Sequence, residues 1–68
     1  MVDILMDSKI EQLQEEIRRL KEEKADREAA LPAHSIRPHQ LLIIEELEEE
    51  ISRKQEEIKA LEKVRQDA

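Results

Sequence analysis

The 68-residue chain has no cysteine, no glycine and no aromatic residue, and only two prolines. Without cysteine, disulfides and thiolate metal sites are excluded. Without glycine there is no glycine-rich loop to cradle a phosphate. Nor is there an apolar run approaching the roughly 20 residues that a membrane span needs, or a recognisable signal peptide. Basic residues form no tail or stripe. Each half of the chain carries six basic and nine acidic residues, and the net charge is −6. That balance argues against nucleic acid and anionic membrane surfaces as partners. A chain this short buries too little surface to be comfortably stable alone. With disulfides and thiolate metal sites gone, oligomerisation is the usual remaining route to stability.

What is present is charge and aliphatic side chains. Charged residues make up 44% of the sequence, and Glu, Lys, Arg, Leu, Ile and Ala dominate, which is the profile of a coiled coil or long helix. Both prolines and both histidines sit in one stretch, Ala30-Leu31-Pro32-Ala33-His34-Ser35-Ile36-Arg37-Pro38-His39. This stretch separates two helix-periodic runs. The sequence therefore predicts an all-α fold, with helix 1 over about 4–30, a connector over 31–37 and helix 2 over about 38–66.

In the first run Ile10, Ile17, Lys24 and Leu31 share one seam position, and Met6, Leu13, Leu20 and Arg27 share the other. Spacings that alternate three and four keep one narrow stripe facing a partner helix. Ser8 and Glu11 fit a capping box, with Asp3 as an earlier cap; the seam position of Met6 favours the earlier start. Pro32 ends the helix, because it lacks the N–H that a helix interior needs. Pro38 suits the first turn of the next helix, with Ser35 or Arg37 as its cap.

In the second run Ile44, Ile51, Ile58 and Arg65 take one seam position, and Gln40, Leu47, Lys54 and Leu61 the other. Early acidic residues and late basic ones suit the helix dipole. Folding back at Ser35 pairs positions whose numbers sum to about 68. Leu20 is then expected near Leu47, Ile17 near Ile51, Leu13 near Lys54 and Ile10 near Ile58. An antiparallel helical hairpin of the coiled-coil type follows.

Leu41, Leu42, Ile43 and Ile44 are consecutive, so at about 100° per residue they cannot share one seam. Leu41 is expected to flank the seam, with Leu42 and Ile43 pointing outward. Val2, Ile4, Leu5 and Val64 leave a matching apolar excess near the termini. Such groups at both ends call for a second surface. A homodimer, packed head to tail as a four-helix bundle, is therefore expected, with Leu5, Leu41, Leu42, Ile43 and Val64 joining the seam residues at its interfaces.

Few residues point to chemistry. His34 and His39 are the groups suited to titrating near neutral pH. They are also the candidate metal ligands, although such a site needs three or four ligands. Ala33-His34-Ser35-Ile36-Arg37 resembles the short core around the phosphorylated histidine of histidine-phosphotransfer domains, and that resemblance implies a phosphorelay role for His34. In that family the histidine lies on an exposed helix face, whereas here two prolines place it in a turn. The run Glu45-Glu46-Leu47-Glu48-Glu49-Glu50 reads as a solvated helix face. The architecture resembles the small RNA-binding hairpins of the Rop family, which dimerise into four-helix bundles. No residue-level match accompanies that likeness, and Arg18, Arg19 and Lys21 are surrounded by Glu15, Glu16, Glu22 and Glu23.

The expected function is that of a non-enzymatic, self-associating interaction module, a small accessory or adaptor subunit serving another protein. No cofactor or resident metal is expected. A chain that starts at Met1 and lacks these targeting signals is expected to be a complete cytoplasmic protein.

Overall fold

A computed structural model describes residues 2–32 and 37–67. It contains two helices, α1 over Val2–Ala29 and α2 over Pro38–Asp67, packed against each other. The molecule is a rod of 53 × 15 × 12 Å. The expected helical hairpin is what forms.

The start of α1 lies ahead of both candidate caps. Ser8 is an exposed residue inside the helix, so the Ser8–Glu11 capping box does not form at its start. The continuous heptad spacing through Met6 outweighs the local preference of serine for a cap. At the other end Ala30 N–H donates to Asp26 O at 3.1 Å, and Leu31 N–H donates to Glu28 O at 3.2 Å. The tightening from an i−4 to an i−3 bond closes the last turn, and Pro32 follows.

Arg37 caps α2. Its carbonyl accepts from Gln40 N–H at 2.9 Å and from Leu41 N–H at 3.4 Å, while its own N–H donates to Gln40 Oε1 at 3.0 Å. Gln40 thus supplies the return half of a capping box, with Pro38 at the first helical position. The early acidic residues do not reach the positive end of the helix dipole. The first turn of α2 has no acidic residue, and the first one in sequence is Glu45. Ser35, the alternative cap, lies outside the described residues, as do Ala33, His34 and Ile36.

Among the described residues six side chains form the core: Ile10, Leu13 and Ile17 from α1, and Ile44, Leu47 and Ile51 from α2. All six are seam positions. Leu13 is the most enclosed, at 2% exposure. Leu20, Ile58 and Leu61 are half-buried, and so is Met6.

The register differs from expectation. Cross-helix ion pairs join Glu16 to Lys54, Lys24 to Glu48 and Asp7 to Arg65, pairs whose numbers sum to 70, 72 and 72. Each pair joins a seam residue to the immediate neighbour of a seam residue on the other helix. The layers therefore lie at a sum of 71, not 68. Leu20 is level with Ile51, Leu13 with Ile58, Ile10 with Leu61 and Ile17 with Lys54. The physical reason is the direction of the chains. In an antiparallel pair, the Cβ vectors of like seam positions do not meet, and one seam position faces the other kind across the layer. Three of the layers set a long charged residue against a buried aliphatic one: Lys54 with Ile17, Lys24 with Leu47, and Arg27 with Ile44. Their methylene stems cover the seam while their charges reach the rim.

Candidate functional site

The seam side chains complete the hairpin, so the surfaces that remain for function are its flanks and its two ends. Cross-helix contacts divide the flanks. On one flank Glu16, Arg19 and Leu20 of α1 meet Glu50 and Lys54 of α2 around a shallow depression. On the opposite flank Lys21, Lys24, Ala25 and Glu28 meet Glu48, Ile51 and Ser52.

Ion pairs cover much of the first flank. Lys54 Nζ donates to Glu16 Oε2 at 2.9 Å and lies 4.0 Å from Glu50. The hydrogen bond from Lys54 holds the Glu16 carboxyl below its ordinary range, against an opposing desolvation effect. The same bond raises Lys54, again against desolvation. On α1, Arg18 grips Glu15 through two bonds, at 2.6 and 3.0 Å, and also reaches Glu22. Hydrogen bonding from Arg18, then from Arg19, brings Glu15 down to about 2 despite some desolvation. Arg18 is raised in turn, mainly by its bond to Glu15. Both arginines are paired within their own helix.

Apolar groups are exposed at both ends. Leu5 is 75% exposed and Val64 52% at the terminal end; Leu41 is 45% and Leu42 51% exposed at the connector end. Leu41 and Leu42 line an open depression with Pro38, His39 and Glu45. Ile43 departs from expectation, being half-buried instead of outward. It lies beside the seam and lines a small, more enclosed depression with Arg27, Ala30, Leu31 and Gln40, about 90 Å³ in volume.

The expected histidine pair is not brought together within the described structure. His39 is exposed in the first turn of α2, and His34 lies outside the described residues. Among the described residues no group of three or more metal-ligating side chains assembles. The acidic run 45–50 divides. Leu47 enters the core, Glu50 joins Lys54 and Glu48 joins Lys24. Sequence reasoning missed the part that Gln40 plays as a reciprocal cap. The signal was there, since it stands three residues after Arg37, but its seam spacing drew the reading elsewhere.

No protein-family model, curated protein or solved structure matches the chain. Among the described residues, no helix is long and apolar enough to cross a membrane.

Proposed function

We propose that the protein is a non-enzymatic interaction module that self-associates and presents its connector end to another protein, as a small accessory or adaptor subunit. One observation carries the reading. Leu5 and Val64 at one end, and Leu41 and Leu42 at the other, stay 45–75% exposed while the seam buries six aliphatic side chains. Exposed aliphatic groups gathered at particular places on a small, highly charged rod mark surfaces for association.

The open depression of Pro38, His39, Leu41, Leu42 and Glu45 suits an apolar segment of a protein partner. Its lining combines aliphatic side chains with one carboxylate and one imidazole. Among the described residues the thin, open form of the hairpin leaves no deep cleft in which to shelter a reaction from water.

Light scattering on the purified chain, combined with affinity capture from its native cell, tests the proposal. The expected result is a dimer at micromolar concentration and capture of one discrete protein complex. Leu41→Glu with Leu42→Glu should abolish capture while helicity, read by circular dichroism, is retained. A monomer that captures nothing would overturn the reading. Capture that is indifferent to Leu41 and Leu42 would move the partner site elsewhere.

A further inference from the structure

The hairpin carries an apolar knob and an apolar dent on the same flank, at opposite ends. Residues seven apart return to one face of a coiled-coil helix. Leu5 stands two heptads before Arg19, and Val64 two heptads after Glu50, so both belong to the flank that holds Arg19 and Glu50. Ala30 stands two heptads after Glu16, and Ile43 one heptad before Glu50, so the dent at the connector end opens on that flank as well. Leu5 is the most exposed large aliphatic side chain among the described residues, at 75%.

Charge sets the orientation in which a second copy would fit. Residues 21–50, the connector half of the rod, carry four basic and nine acidic groups, a net of −5. Residues 1–20 and 51–68, the terminal half, carry eight basic and nine acidic groups, a net of −1. Two connector halves side by side would set −5 against −5. A head-to-tail pair sets each acidic half against the half that holds eight of the twelve basic residues. Like-charge repulsion is therefore weaker in the second arrangement, which sets −5 against −1, than in the first.

We infer that a second copy of this chain docks head to tail on this flank, each Leu5 seating in the other's dent between Ala30, Leu31 and Ile43. The contact is isologous, so one two-fold axis near the middle of the rod makes both insertions at once and closes the assembly. It leaves Leu41 and Leu42 free for the protein partner. This inference rests on the self-association proposed above and specifies its face and direction.

Single cysteine variants test it, since the chain has no cysteine of its own. Leu5→Cys lies near the start of α1 and Ala30→Cys just past its end, 25 residues on and roughly 38 Å away at 1.5 Å per residue, so one chain cannot join them to each other. Under mild oxidation a mixture of the two variants should give a disulfide-linked dimer, and neither variant alone should. Linkage of Leu5→Cys to itself would mean tail-to-tail packing, and linkage of Ala30→Cys to itself connector-to-connector packing; either overturns the inference. Leu5→Glu should weaken the dimer at least tenfold by light-scattering titration, with Leu42→Glu leaving it unchanged. A dimer that shows no mixed linkage and tolerates Leu5→Glu would refute this face while self-association stands. A monomeric wild type would remove both.

Discussion

Lys54 reaches across the hairpin and sets its ammonium 2.9 Å from the Glu16 carboxylate, although its own position belongs to the seam. Its side chain is 22% exposed. The methylene stem lies in the layer of Ile17, and the charge is carried to the rim, where Glu16 and Glu50 receive it. A single charged residue at a seam position can fix register and oligomeric state at some cost in stability. Lys54→Leu should therefore raise the melting temperature by making the layer it shares with Ile17 wholly aliphatic. It should also broaden the distribution of species on a sizing column. A lower melting temperature would show that the ion pair contributes more than an aliphatic layer.

Leu13 is the most enclosed side chain, at 2% exposure. Leu13→Ala should cost roughly 2–5 kcal/mol, the range for buried large-to-small changes. Leu20→Ala should cost less, because Leu20 is only half-buried. Urea unfolding of both variants gives the comparison, and equal losses would contradict the observed burial.

The hairpin was legible from the sequence because the aliphatic spacing and Pro32 both speak through local geometry. The register was not. A fold-back at Ser35 fixes the sum of paired positions only to within a few residues, and seam spacing alone does not say which kind of position meets which. Ion pairs between Glu16 and Lys54 and between Lys24 and Glu48 resolve it. The end patches were visible as residues off the seam. That Ile43 lines a dent while Leu42 stays exposed depends on the approach of α1, which one helix's periodicity does not contain.

An engineered disulfide distinguishes the two registers. Bridging needs Cα atoms within about 7 Å. Leu20→Cys with Ile51→Cys should close readily within one chain and raise the melting temperature. Leu20→Cys with Leu47→Cys, the pairing of the other register, should close slowly or not at all. Free-thiol titration after mild oxidation measures both, and the reverse order would restore the sum of 68.

The cross-helix pair also predicts a pH window. Glu16 is held below its ordinary value of 4.5, so its contribution is complete above 4.5 and is lost as pH falls through the folded-state value. Lys54 is raised above its ordinary 10.5, so its contribution is complete below 10.5 and is lost as pH rises through the folded-state value. Wild type should exceed Glu16→Gln in melting temperature between these limits, and the difference should shrink as pH falls below 4.5. Glu15, brought down to about 2, should keep its pairing with Arg18 to lower pH than Glu16 keeps its own. Thermal unfolding of both proteins across the range would show it, and a difference independent of pH would reject the ionic origin.

Gln40 accepts the Arg37 N–H at 3.0 Å in a first turn that has no acidic residue. Gln40→Glu keeps the acceptor oxygen and adds a negative charge at the positive end of the helix dipole. The gain for such a charge is roughly 0.3–1 kcal/mol at low ionic strength. Gln40→Ala removes the acceptor and should cost about 0.5–1.5 kcal/mol, the net worth of an ordinary hydrogen bond. The order of stability is then Glu above Gln above Ala at neutral pH. Salt screens the charge but not the lost bond, so in about 1 M salt the Glu variant should fall back towards wild type while the Ala variant stays below it. Urea unfolding of the three proteins at low and high salt separates the two effects. If Gln40→Glu were the least stable, the seam position of Gln40, half-buried and level with Leu31, would dominate over its capping role.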